Sequence, residues 1–197
     1  MTGTVLFDLF GVIARQQSEE GKDRLVKTAG VPAPAFWGAY WAYRPRYDSG
    51  QLTGATYWEH VLGTLPDATR TAALIEADIA SWSAVDDEMV DLISELAASG
   101  RRIALLSNIP EELAVHYEAH HPWLKHFEFR AFSCRIGHAK PDPDAYLWCR
   151  KALGEDPARV LFVDDRRENI VAAEATGLRG HLFTGIAPLR EALSAAP

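Results

Sequence analysis

Four short stretches of this 197-residue sequence carry residues that could do chemistry together. In Val5-Leu6-Phe7-Asp8-Leu9-Phe10-Gly11-Val12-Ile13 an apolar run ends on a single carboxylate, and a glycine follows three residues later. Apolar β-formers that end on an acid read as a buried strand delivering Asp8 to its C-terminal tip. Gly11 then lets the backbone turn sharply and approach a ligand closely. A second run, Ile103-Ala104-Leu105-Leu106, ends on Ser107-Asn108, and another, Val160-Leu161-Phe162-Val163, ends on Asp164-Asp165. Lys140 lies in a loop, Gly137-His138-Ala139-Lys140-Pro141-Asp142-Pro143, ahead of a helix. Each stretch alone has a plain explanation as a turn, a cap or a surface lysine. Together at strand tips they describe a site, because ligands of open parallel sheets bind beyond the C-terminal strand ends. Asp8, Asp164 and Asp165 cannot share that site without a counter-charge, since mutual repulsion would raise their pKa values. A bound Mg²⁺ supplies it, as this ion takes a few carboxylates plus water and substrate oxygens. Lys140 would add a fixed positive charge.

The elements that must position these residues follow from the pattern. From Asp86 onward helices and strands alternate. Met89, Leu92, Ile93 and Leu96 mark a helix face, and Gly100 sits where a C′ glycine belongs. After Ser107-Asn108, Pro110, Glu111 and Glu112 open a helix with proline and acids in its first turn. Phe127 to Phe132 reads as the next strand, Asp142-Pro143 starts a helix that stops near Gly154, and a helix to Gly177 precedes a last strand at His181-Leu182-Phe183. This alternation predicts an α/β fold, a Rossmann-like parallel sheet with right-handed crossovers. Between Arg15 and Asp86 the text is different, helix-like and rich in Trp and Tyr. Helices are expected from Ser18 to Ala29, from Ala35 to Tyr43, from Thr53 to Leu62 and from Asp67 or Thr69 to Ala80. Phe36, Trp37, Tyr40 and Trp41 form an apolar stripe that reads as core packing. A break is expected at Arg44-Pro45-Arg46-Tyr47-Asp48-Ser49-Gly50. The organisation predicted is an α/β core of residues 1–14 and 87–197, with a helical domain of residues 15–86 inserted.

Composition narrows the class. The net charge of −7 argues against a general binder of nucleic acid or of acidic membranes, though not against a small anion pocket. An apolar fraction of 48% is enough for a real core. Cys134 and Cys149 are the only cysteines, too few for a disulfide framework and consistent with a reducing cytoplasm. No signal peptide and no apolar run of membrane-spanning length is visible. His116 and His120 stand at i, i+4, a spacing able to bind zinc, but no glutamate follows His116 and the reading preferred is packing.

In the order and spacing of its motifs the chain resembles the haloacid dehalogenase-like hydrolase superfamily over nearly its whole length. Phe7-Asp8-Leu9-Phe10-Gly11-Val12 resembles the first motif, Ser107 the second, Lys140 in Ala139-Lys140-Pro141 the third, and Val163-Asp164-Asp165 with Asn169 the fourth. The resemblance implies Asp8 as nucleophile, with Ser107 and Lys140 as catalytic partners. It implies Mg²⁺ held by Asp8, the Phe10 backbone carbonyl, Asp164 and Asp165. It also implies that the helical insertion is a cap closing over the site, with Asn108 and Phe10 facing the substrate. Two arginines at a helix break are suited to holding an anion, so the stretch around Arg44, Arg46, Tyr47 and Asp48 is expected to face the catalytic edge and contact substrate. The Ser-Asn second motif and the short insertion are most similar to small phosphatases of the superfamily.

One position departs from that pattern. Phosphatases of the superfamily commonly carry a second aspartate, the general acid and base, where this chain has Phe10. The L-2-haloacid dehalogenases carry an aromatic residue there. The expected activity is therefore a Mg²⁺-dependent phosphatase of a small phosphorylated metabolite, forming an aspartyl-phosphate on Asp8. Two alternatives stay open: a metal-free dehalogenase, in which Asp8 attacks carbon, and a catalytically weakened member that binds a ligand or partner. The Asp164-Asp165 pair weighs against the dehalogenase, because adjacent carboxylates facing a carboxylate substrate are unfavourable without a cation.

Overall fold

The computed structural model describes residues 3–195. Five short strands form one parallel sheet: β1 (Val5–Phe7), β2 (Ile103–Ser107), β3 (Arg130–Phe132), β4 (Leu161–Asp164) and β5 (Arg179–Leu182), in the order β3-β2-β1-β4-β5. The register sets Phe7 beside Leu105 on one side and Val163 on the other, so the three chemistry-bearing strand ends are neighbours. Side chains alternate across the sheet. Val5, Phe7, Ile103, Leu105, Leu161 and Val163 face one apolar cluster with α5 (Asp87–Ala98), α6 (Glu111–His120) and α10 (Ile186–Ala195). Leu6, Ala104, Leu106 and Phe162 face the other, with α8 (Pro143–Leu153) and α9 (Arg167–Ala175). Both faces being covered explains why the strands read as unbroken apolar runs.

The insertion is four helices, α1 (Glu19–Ala29), α2 (Ala33–Asp48), α3 (Gly54–Leu62) and α4 (Ala68–Trp82). Ser18, Thr53 and Asp67 cap three of them through their side chains. The four share an apolar cluster of their own, including Leu25, Phe36, Tyr40, Tyr47, Tyr57, Trp58 and Leu74. The chain enters and leaves beside itself: Arg15 N–H donates to the Ala84 carbonyl and Asp86 N–H to that of Ile13.

Several sequence expectations need correction. The break at 44–50 is absent, and α2 runs on to Asp48 with Pro45 inside it. An interior proline costs a helix about 3 kcal/mol. Here Tyr40, Arg44 and Tyr47, at i, i+4 and i+7, are buried on one face of the insertion while Pro45 is exposed, and that burial holds the helix together. The strand expected over Phe127 to Phe132 shortens to Arg130–Phe132, because the chain leaving a 3-10 turn at Pro122–His126 still bends at Phe127 and Glu128. The last strand begins at Arg179 and ends at Leu182, and the fourth is shifted by one residue to Leu161–Asp164. A short helix, α7 (Ser133–Ile136), and the terminal α10 were not anticipated.

The centre of α2 is a buried ion cluster. Arg44 Nε donates to Asp48 Oδ1 at 2.7 Å and its Nη1 to Asp78 Oδ2 at 3.0 Å. The Tyr40 hydroxyl donates to Asp78 Oδ1 at 2.6 Å, and the Trp82 indole N–H donates to that hydroxyl at 3.0 Å. Removing one partner from such a group strands buried charge and costs about 3–5 kcal/mol. Arg44→Ala is therefore expected to destabilise the fold by about that amount. The triple change Arg44→Met, Asp48→Asn, Asp78→Asn should recover much of the loss. Urea denaturation of the three proteins checks this; an Arg44→Ala variant as stable as wild type would contradict it.

Candidate active site

The strand β1 ends at Phe7, and Asp8 stands directly on its tip, buried, with its N–H bonded to the Val163 carbonyl. The chain then doubles back at once, Ile13 and Ala14 N–H both donating to the Leu9 carbonyl. Gly11 makes the turn with φ +87°, and a Cβ there would lie 2.1 Å from Asp165 Oδ2. The close approach that requires glycine is thus to a site carboxylate.

Lys140 is the hub. Its Nζ lies 2.5 Å from Asp8 Oδ1 and 2.7 Å from Asp164 Oδ2, and its side chain is only 2% exposed. Its backbone is gripped by Asn108: Lys140 N–H donates to Asn108 Oδ1 and Asn108 Nδ2 donates to the Lys140 carbonyl, both at 2.8 Å. The side chain on the tip of β2 therefore sets the position of the lysine on a separate loop, which the sequence does not reveal. Ser107, one residue earlier, is fully buried and its Oγ has no hydrogen-bond partner.

The two acids after β4 differ. Asp164 is saturated: besides Lys140 it accepts from Asn169 Nδ2 at 2.9 and 3.0 Å and from Arg166 N–H at 2.8 Å. Asp165 accepts from Gln16 Nε2 at 3.3 Å on Oδ2, while its Oδ1 is buried and unpartnered. Carboxylate oxygens of Asp8, Asp164 and Asp165 lie within 4.8 Å of one another.

Burial pushes the Asp8 carboxyl well above the usual carboxylate range, against the pull of Lys140, and the Asp164 charge adds to the rise. Burial, then the Asp164 charge, also raises Asp165. Burial disfavours the Lys140 ammonium, but the charges of Asp8 and Asp164 outweigh it and hold its pKa above the ordinary lysine value. A cluster with one cation and three acids thus stays short of positive charge.

A cleft of about 470 Å³ opens over these groups, between the sheet edge and the insertion. Its lining includes Asp8, Phe10, Asn108, Lys140, Asp165 and Asn169 from the sheet side, and Trp41, Arg44, Pro45 and Asp48 from α2. Ser107 and Asp164 are fully buried next to lining residues, and Arg46 is exposed and does not line the cleft. Arg44 reaches the cleft, but as a buried partner of Asp48 and Asp78 and not as a free loop arginine. Phe10 packs edge-on against Trp82 and Tyr117, with centroids 5.1 and 5.7 Å away. Gln16, Trp41 and Trp82 carry no signal in the sequence that places them at the cleft. Trp41 belongs to the aromatic stripe read as core, yet it is half exposed. The rings of His116 and His120 stack at 4.2 Å, and neither belongs to a metal-competent group among the described residues.

The chain belongs to the haloacid dehalogenase-like hydrolases, whose family model matches residues 2–177. It is 33% identical over 108 residues to sesquiterpene phosphatase astK of Aspergillus oryzae, covering 54% of this chain and 55% of that one. It is 31% identical over 103 residues to phosphoglycolate phosphatase 1 of Pseudomonas aeruginosa, covering 52% and 38%. The chain thus spans about half the length of the first of these curated relatives and less of the second. Its fold is similar to that of a haloacid dehalogenase family enzyme of Bacteroides thetaiotaomicron solved with magnesium and inorganic phosphate, with TM-score 0.74, 18% identity and coverage of 92% and 93%. It is also similar to L-2-haloacid dehalogenase of Xanthobacter autotrophicus with chloropropionic acid covalently bound, with TM-score 0.65, 22% identity and coverage of 100% and 85%.

Proposed function

We propose that the protein is a Mg²⁺-dependent phosphatase of a small phosphorylated metabolite, acting through an aspartyl-phosphate on Asp8. The observation that carries this reading is the juxtaposition of Asp8 and Lys140 with the unpartnered, buried oxygen of Asp165. An unpartnered carboxylate oxygen in a group of three acids whose oxygens lie within 4.8 Å of one another fits a small hard cation. Asp8, Asp165 and the Phe10 backbone carbonyl would hold Mg²⁺, with Asp164 behind them fixing Lys140. When bound, the ion supplies positive charge against the carboxylates and the transferring group.

Asp8 attacks phosphorus through a carboxylate oxygen, and the bond to the leaving oxygen breaks with its electron pair departing on that oxygen. Water then attacks the phosphorus of the acyl phosphate, releasing phosphate and regenerating Asp8. Lys140 favours the ionised form of Asp8, against the opposing effect of burial, and offsets the charge of the transferring oxygens. The orphaned Ser107 hydroxyl is a donor for one of those oxygens, and Asn108 keeps Lys140 in place. Residues 15–86 act as the cap, with α2 forming the far wall of the cleft. The two free cysteines fit a reducing, cytoplasmic setting. No helix among the described residues is long and apolar enough to cross a membrane.

Phe10 favours the dehalogenase as a second reading. Against it, Asp8 and Asp165 both line the cleft, with Asp164 within reach of them, an acidic surrounding unfavourable to a carboxylate substrate without a cation. Chloride release from 2-chloropropionate without metal decides between them.

Without an acid at position 10, leaving-group departure is unassisted. A general acid contributes about 10²–10⁴-fold. Phosphate esters graded by leaving-group pKa should therefore show a steep rate dependence in wild type, flattened in Phe10→Asp. A flat wild-type series would mean that another residue already protonates the leaving group.

A further inference from the structure

The two walls of the cleft differ in character. On the sheet side the polar groups bind mostly one another, and the orphaned Asp165 Oδ1 and Ser107 Oγ belong to the proposed reaction centre. The three cations that line the cleft among the described residues are all paired: Arg44 with Asp48 and Asp78, Lys140 with Asp8 and Asp164, and Arg166 with Glu168. A substrate carrying a second anionic group finds no unpaired cation there, and would meet Asp48 and Glu168 instead. On the α2 side, beside Pro45 and the paired Arg44 and Asp48, the wall carries one aromatic ring, Trp41. Trp41 is 50% exposed, unlike the sealed Trp58. It is braced by Trp37 at 6.5 Å, Tyr40 at 4.8 Å and Trp82 at 6.3 Å between ring centroids. The Trp82 ring stands at 90° to it, and Phe10 meets Trp82 edge-on. A braced indole with one side open to a cleft is a surface for a flat ring. The volume of about 470 Å³ holds a phosphate and a small aromatic group.

We propose that the cleft selects phosphate monoesters whose leaving group is a neutral aromatic ring, and that Trp41 is the specificity-determining residue on which the ring lies. The inference rests on the phosphatase reading and names its substrate class. It accords with Phe10, because a phenolate leaves more readily than an alkoxide when no acid is present.

The test compares kcat/KM in Mg²⁺ for 4-chlorophenyl phosphate, for 4-carboxyphenyl phosphate, whose phenol is of similar acidity, and for acetyl phosphate, which has no ring. Wild type should prefer the chlorophenyl ester to the carboxyphenyl ester by about tenfold or more. In Trp41→Ala the preference for the chlorophenyl ester over acetyl phosphate should fall by about tenfold, chiefly through KM, and Trp41→Phe should restore most of it. Equal rates on the two aryl esters, or a uniform loss on all three substrates in Trp41→Ala at unchanged melting temperature, would overturn the inference and leave the phosphatase reading standing. If wild type releases phosphate from none of the three, the phosphatase reading itself fails, and this inference with it.

Discussion

Asp8→Asn is expected to abolish turnover in a protein that still folds. The asparagine keeps the shape of the side chain on the tip of β1 but lacks the nucleophilic oxygen. Loss of a nucleophile costs on the order of 10⁴-fold or more, because no other group can form the covalent intermediate. The fold should survive for a physical reason. Lys140 stays paired with Asp164 at 2.7 Å, so no cation is stranded. Burial already opposes the charged form of Asp8, so a neutral side chain is tolerated there. Phosphate release and thermal unfolding, measured on the same preparation, check both halves. Substantial retained activity would show that Asp8 is not the nucleophile.

The second large effect concerns the metal. Exhaustive chelation should lower phosphate release by about 10²-fold or more, and added Mg²⁺ should restore it. The reason lies in the charge balance: Asp8 must be ionised to attack, yet burial and the neighbouring Asp164 push it toward the neutral form while Lys140 is shared between them. The two acids of the fourth motif should then separate. Asp165→Asn removes the unpartnered oxygen and should raise the Mg²⁺ concentration for half-maximal activity by about tenfold or more. Asp164→Asn strips Lys140 of a partner, and its loss of rate should not be recovered by more Mg²⁺. Undiminished turnover after chelation would count against the phosphatase reading, and equal Mg²⁺ dependence of the two variants would remove the division of labour between them.

The gathering of Asp8, Lys140 and the Asp164-Asp165 pair was legible in the sequence, as was the parallel α/β core. Asp8 and the acidic pair sit at the ends of apolar runs, and in a sheet covered on both faces that pattern is local: the run makes the strand, and its polar end makes the tip; Lys140 was readable only from its loop ahead of a helix. The helical character of residues 15–86 was readable for the same reason, from caps and periodicity within single helices. Tertiary structure decided what depends on partners distant in the chain. It carried α2 through Pro45, because Arg44 meets Asp78 and Tyr47 packs on Tyr57, contacts invisible to a local reading. It turned two expected substrate arginines into a buried ion partner and an exposed side chain, and it gave Asp164 to the lysine while leaving an Asp165 oxygen free. It also turned Trp41 outward from a stripe whose neighbours are core. Residue type and spacing dictate strands, caps and helix faces, since these are settled within a few residues. Which charges pair, and which aromatic ring faces a cleft, is settled only when helices from different parts of the chain pack together.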